Sequence, residues 1–146
     1  ASQDIRGAVQ YLERSGSAKC GVTGFCMGGA LTVLAAVMAP EVDAAVTWYG
    51  YPPLEFVDAG KVRAPIMGHW GLRDEFFAIA GVDALEAKLQ AAGVRCEFHR
   101  YDAKHAFANE TQVGAARLLP VLEYQSDAAA LAWQRTLEFL GRELGR

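Results

Sequence analysis

Only three cysteines occur among the 146 residues, Cys20, Cys26 and Cys96, an odd count with no C-x-x-C pair and no secretory leader. Such usage excludes a small disulfide scaffold and points to a reducing, cytoplasmic setting. His69, His99 and His105 lack the spacing of a zinc site, and nothing in the pattern asks for a metal or an organic cofactor. Charge of one sign is scarce too: 14 basic residues face 17 acidic ones without a basic run, which argues against nucleic acid as a partner. The longest apolar run, Ala30 to Pro40, is too short to span a bilayer, so no membrane partner is expected. There is neither an internal repeat nor a low-complexity tract.

What is present is a 52% apolar chain, long enough for one domain (residues 1–146) with a core of its own. Its pattern alternates between helix and strand. Ile5, Ala8, Val9 and Leu12 recur at helical spacing, which predicts an amphipathic helix over 4–15 packed by one stripe. Lys19 to Phe25 reads as a short strand. Residues 28–39 follow as a helix apolar almost all round, placed under a sheet. Ala44 to Tyr49 reads as a second strand ended by Pro52 and Pro53, and Pro65 to Trp70 as a third. A helix over 77–92 closes at Gly93, whose missing Cβ suits a left-handed cap. Val94 to Tyr101 gives a fourth strand, with Glu97 and His99 at outer positions. A last helix, 126–143, puts Trp133, Leu137 and Leu140 on one face, with Ser126 or Asp127 as its cap. Strands separated by helices imply an α/β fold with parallel pairing and right-handed crossovers.

One segment carries chemistry. Gly24-Phe25-Cys26-Met27-Gly28-Gly29 lies between a strand and a helix, the setting of a nucleophile elbow, in which glycines keep backbone clear while the nucleophile sits on a tight, strained turn. Each candidate also has a plain structural reading: Cys26 as buried filling, Asp74 as a helix cap, His105 as one more loop histidine. Their joint arrangement favours the chemical one. Asp74 follows the apolar stretch Ala64 to Gly71 and His105 follows Val94 to Tyr101, so all three fall at carboxyl ends of strands, where open α/β sheets build their sites. The order nucleophile, acid, histidine is that of the α/β-hydrolase fold.

These residues resemble the dienelactone hydrolases, cysteine-using α/β-hydrolases. The resemblance covers essentially the whole chain and rests on the elbow with Ala30, on Trp48-Tyr49-Gly50, on Gly71-Leu72-Arg73-Asp74, on His105-Ala106-Phe107-Ala108-Asn109, and on steps of 48 and 31 residues between Cys26, Asp74 and His105. It implies Cys26 as nucleophile, His105 as base and Asp74 as the residue that orients the base. It also departs from the family twice. Some members carry a serine directly after the histidine and an arginine four residues after it, both helping to hold an anionic lactone, where this chain has Ala106 and Asn109. Members also run a long segment before the elbow, whereas twenty-five residues precede Cys26 here. The expected architecture is therefore the C-terminal half of an α/β-hydrolase fold, about four mostly parallel strands flanked by helices.

From this follow the functional expectations. The start of a helix and a nearby imidazolium favour a thiolate at Cys26. The backbone N–H of Met27 is the expected oxyanion donor. Trp48, Tyr49, Trp70 and Phe107 are candidates to line an apolar acyl or aryl pocket, with core packing the alternative for each, and Asn109 either orients a ligand or caps its own turn. A missing neighbour would leave Lys19 to Phe25 with an unpaired apolar edge, which predicts completion by homodimerisation there or by a separate front-half polypeptide. The expected activity is hydrolysis of small carboxylic esters or lactones, extending to activated aryl esters or phosphotriesters, through a thioacyl-enzyme. The rival reading is a non-catalytic half-domain or assembly partner with a vestigial triad.

Overall fold

The computed structural model describes residues 2–114 and 118–145. The order of elements is α1 (Ser2–Arg14), β1 (Gly21–Phe25), α2 (Met27–Met38), β2 (Ala44–Trp48), two short 3-10 turns (Leu54–Phe56 and Ala59–Lys61), β3 (Ile66–Gly71), α3 (Ile79–Ala91), β4 (Cys96–Tyr101) and α4 (Ser126–Leu144). The strands form one parallel sheet in the order β1-β2-β3-β4. Alternate strand residues point to opposite faces, and both faces are covered. Val46, Trp48 and Met67 meet Ala132 and Phe139 of α4, while Ala45 and Ile66 meet Val33 and Val37 of α2 and Leu85 and Leu89 of α3. β2 and β3 are buried along their whole length. Gly93 takes φ 79°, the left-handed conformation expected of it, just beyond α3. Among the described residues no helix is long and apolar enough to cross a membrane.

Two helix faces differ from the periodicity. On α1, Val9 is buried against Cys20, Ala39, Val42 and Ala64, but Leu12 is 45% exposed, so the stripe is one residue deep rather than four. On α4 the buried face is Ala128, Ala129, Ala132, Thr136 and Phe139. Small residues there let the helix axis come close to the sheet, which turns Trp133 and Leu137 outward, at 41% and 65% exposure. Its N-cap is Gln125, without a side-chain cap bond, in place of Ser126 or Asp127.

At the elbow, helix and sheet approach closely. A Cβ on Gly24 would lie 2.2 Å from the Gly28 carbonyl oxygen, and one on Gly29 would lie 2.7 Å from Thr47 Oγ1. Gly28 has open space at the same position. The close packing therefore falls on Gly24 and Gly29, and it seats the start of α2 directly on β1 and β2. Beyond the elbow, β1 has no partner on its outer side among the described residues, and its side chains alternate between exposed and half-buried.

Candidate active site

Cys26 stands at the N-cap of α2 with φ 56° and ψ −120°. Its N–H donates to the Trp48 carbonyl at 2.9 Å, continuing the ladder of β1 and β2 one residue past the strand, and its carbonyl accepts from Gly29 at 2.9 Å as the first turn of the helix. A side chain held between these two bonds is forced up from the sheet, and Cys26 is the exposed thiol, whereas Cys20 is buried and Cys96 half-buried. Burial pushes the Cys20 thiol pKa upward and that of Cys96 to about 11, so neither is a ready thiolate.

Asp74 and His105 are brought together by the ends of β3 and β4. Past the strands, Leu72 N–H still donates to the Tyr101 carbonyl at 2.7 Å and Arg73 N–H to the Ala103 carbonyl at 3.0 Å, so the two loops leave the sheet side by side. The Asp74 carboxylate then meets His105 Nδ1 at 2.7 Å through Oδ2. Its other oxygen, Oδ1, accepts from the N–H groups of Phe76 and Phe77 at 2.8 and 2.9 Å, which fixes the carboxylate in place. Both side chains are buried. A carboxylate only accepts, so Nδ1 carries the proton and the neutral ring keeps its basic lone pair on Nε2. The loop is anchored from behind by Glu123 N–H to the His105 carbonyl at 3.2 Å and Gln125 N–H to the Phe107 carbonyl at 2.9 Å. Around the ring stand Phe76, Tyr49 and Phe77, with centroids at 4.9, 5.2 and 5.6 Å.

Cys26 and His105 open onto one cavity of about 350 Å³. Three non-glycine residues have positive φ among those described, Cys26, Tyr49 (38°) and Ala106 (59°), and all three line this cavity. Strain of this kind costs on the order of 1–3 kcal/mol per residue and persists where the surroundings over-determine it, most often at functional sites. No hydrogen bond links the Cys26 sulfur to the imidazole among the described residues, as is common before a substrate draws catalytic groups together.

The expected lining is met in part. Tyr49 and Asn109 border the cavity. Trp48, Trp70 and Phe107 do not: all three are fully buried, Trp48 and Phe107 in the layer between sheet and α4, and Trp70 against Phe98 at 4.6 Å. Strand alternation turns Trp48 and Trp70 away from the rim and into the faces of the sheet, so the corrected role of these three is packing. Asn109 does cap its own turn, its Oδ1 accepting from Thr111 N–H and hydroxyl at 3.1 and 2.8 Å. Sequence reasoning missed Phe76, Gln112, Leu118 and Leu122 as lining residues. Phe76 was signalled by its place two residues after the aspartate, inside the turn that Asp74 caps; the other three belong to an aperiodic loop that gives no signal.

The parallel sheet, its helical crossovers and the strand–elbow–helix turn are those of an α/β-hydrolase. An α/β hydrolase from a Medee basin deep-sea metagenome superposes with a TM-score of 0.78 at 17% identity, over 99% of this chain and 65% of that one. A Klebsiella pneumoniae structure provisionally assigned as a dienelactone hydrolase gives 0.78 at 28% identity, over 96% of this chain and 60% of its own. A carboxymethylenebutenolidase of Rhodococcus opacus is 32% identical over 97% of this chain and 59% of its own length. The model of the dienelactone hydrolase family matches residues 1–144, and the chain belongs to that family. It spans about half the length of the curated relatives it matches.

Proposed function

We propose that the chain is an ester or lactone hydrolase in which Cys26 is the nucleophile, His105 the general base and Asp74 the residue that orients it. The observation that carries this reading is the shared cavity: a thiol raised on a strained elbow and an imidazole held by a carboxylate at 2.7 Å open onto the same space. His105 Nε2 takes the thiol proton, and the thiolate attacks the ester carbonyl, forming the C–S bond as the carbonyl π pair moves to oxygen. The Met27 N–H, in the first turn of α2 and outside its hydrogen-bond ladder, faces the developing oxyanion. Collapse breaks the ester C–O bond, and the leaving alcohol takes its proton from His105. Water, deprotonated by His105, then attacks the thioester; the C–S bond breaks and the acid leaves. Asp74 stays ionised throughout and stabilises the imidazolium. Activated aryl esters and phosphotriesters offer the same thiolate an electrophilic centre.

The test is a burst. With p-nitrophenyl acetate or butyrate, release of one p-nitrophenolate per chain, abolished by iodoacetamide and by Cys26→Ala, is the expected result. Background rates with a titratable Cys26 thiol would instead support a second reading, favoured by the bare outer side of β1: a half-domain that acts as an assembly partner and keeps an idle triad. Phe25, at the end of β1, and Trp133 of α4 both expose apolar surface, with their rings 6.1 Å apart. In both readings this edge is completed by a second copy of the chain or by a separate front-half polypeptide. A monomeric mass by sedimentation at tens of micromolar would remove the dimer.

A further inference from the structure

The turn that ends β2 is braced on the elbow and holds Tyr49 between the nucleophile and the base. Tyr49 N–H donates to the His69 carbonyl at 2.7 Å, and Thr47 Oγ1 donates to the Gly50 carbonyl at 2.8 Å, so the chain is bonded on both sides of the residue. A Cβ on Gly50 would lie 2.0 Å from the Cys26 carbonyl oxygen, so the turn rests on the backbone of the elbow itself. In that grip Tyr49 takes φ 38°, a conformation that a bulky residue keeps only where its surroundings over-determine it. The side chain is 3% exposed, and its ring meets His105 edge-on at 5.2 Å and Phe107 at 5.4 Å. Two cavities meet beside it, sharing Tyr49, Phe25 and Asn109: the one of about 350 Å³ that holds Cys26 and His105, and one of about 310 Å³ that reaches Ala108 and Trp133. An ester with one end in each places its bridging oxygen at their junction. The order of the strands agrees, since Tyr49 ends β2 between Cys26 on β1 and the Asp74–His105 pair beyond β3 and β4. An oxygen that departs toward His105 therefore passes Tyr49.

A phenol has one proton to give and lone pairs with which to accept, so a cation or an N–H group nearby occupies the lone pairs and leaves the proton free. Among the described residues no carbonyl or carboxylate takes that proton. Burial, and after it the charge at Cys26, push the Tyr49 pKa upward, which keeps the phenol protonated at neutral pH. Resting on the nucleophile reading given above, we propose that the Tyr49 hydroxyl is a catalytic hydrogen-bond donor to the leaving oxygen of the ester. Once the C–S bond has formed, breaking the ester C–O bond gathers negative charge on that oxygen. The hydroxyl shares its proton with the charge and keeps it, while His105 Nε2 delivers the proton that departs with the alcohol. Such help grows with the basicity of the leaving oxygen, so it extends the substrates of this site from activated esters to those of unsubstituted phenols.

The experiment compares the unaltered chain with Tyr49→Phe on p-nitrophenyl, p-chlorophenyl and phenyl butyrate, which share an acyl group and differ in leaving oxygens that grow more basic in that order. The quantity read is kcat/KM, which reports acylation whatever the rate of thioester hydrolysis. Tyr49→Phe is expected to lose at most about threefold with the p-nitrophenyl ester and at least about tenfold with the phenyl ester, with the chlorophenyl ester between them. Phenylalanine keeps the ring against His105. Any damage to packing, followed by the urea midpoint and by the rate at which iodoacetamide alkylates Cys26, lowers all three values alike and leaves their ratios unchanged. The same loss with all three esters, no loss, or an unaltered chain that leaves phenyl butyrate intact overturns the proposal without touching the nucleophile reading. No burst with p-nitrophenyl butyrate from the unaltered chain overturns that reading, and this one with it.

Discussion

Two buried histidines, one on β3 and one beyond β4, show how the same side chain is given opposite tasks. His105 faces a carboxylate through Nδ1 and a cavity through the other side of its ring. His69 faces two hydroxyls, Tyr101 at 2.9 Å from Nδ1 and Thr136 at 2.9 Å from Nε2. The Tyr101 hydroxyl already accepts from Arg135 at 3.1 Å, so its own proton goes to Nδ1 and His69 carries its hydrogen on Nε2, the opposite tautomer to His105. Burial, followed by the neighbouring His99 and Arg135, holds the His69 pKa down to about 3. One ring therefore has an anion to stabilise its protonated form and a basic lone pair to spare. The other is enclosed, neutral and fully bonded, and it ties α4 to the sheet. Depth of burial does not separate them; the charge of the partner does.

The sharpest break of that comparison is to delete each ring in turn. His105→Ala is expected to slow acylation of Cys26 by p-nitrophenyl butyrate roughly 10²- to 10⁴-fold, the range of a lost general base, and to lower stability as well, because the ring is buried and its loss leaves the Asp74 carboxylate without its partner. His69→Ala should lower stability by about 2–5 kcal/mol, as for a large buried side chain removed, but leave the burst within a few-fold. The measurements are stopped-flow release of p-nitrophenolate and urea unfolding. An His69 variant that folds well and acylates slowly would mean that the two sites are coupled through Trp48, whose ring lies 4.6 Å from His69.

Acid sharpens the contrast next. For His69 the folded-state pKa of about 3 lies below the ordinary 6.5, so between those values the unfolded chain binds the extra proton. Stability from this group is then complete above the ordinary value and falls as the pH drops through that window. At about pH 4.5 the loss amounts to about 2.5 kcal/mol relative to neutral pH. Urea midpoints at the two pH values, measured for the unaltered chain and for His69→Gln, isolate this contribution from that of the carboxylates. Equal acid sensitivity in both would show that His69 is hydrated rather than sealed.

How legible this was in the sequence depends on what each feature rests on. Cys26, Asp74 and His105 stand out because strand–loop boundaries are written in local composition, and the three fall on three such boundaries. The strands emerged for the same reason: Ala44 to Tyr49 and Pro65 to Trp70 are short apolar runs closed by breakers, and the observed strands lie within a residue or so of them. What failed needed neighbours. Trp48 and Trp70 look like site aromatics from chain position alone, and only strand alternation against covering helices shows them to be packing. The α4 face was misread because large apolar residues dominate a periodicity count, while closeness of approach is set by Ala128, Ala129 and Ala132. The elbow pattern drew attention to Gly24 and Gly28, yet the crowded partner is Gly29, since the contact that matters is with Thr47 on β2. The His69 network was invisible, because its members come from β3, β4 and α4, three segments far apart in sequence.

The smallest expected effect is also the most specific. Thr136→Val keeps the shape of the side chain on α4 but leaves His69 Nε2–H without an acceptor in a buried layer. An orphaned buried donor costs about 1–3 kcal/mol. Thr136→Ser restores the hydroxyl and loses a methyl group, so it should fall within about 1 kcal/mol of the unaltered chain. Neither should move the burst rate, because Thr136 reaches only the histidine that is not at the cavity. A valine variant as stable as the threonine would mean that His69 adopts the other tautomer, with Nδ1–H donating to Tyr101, and the assignment of opposite protons to the two rings would fall.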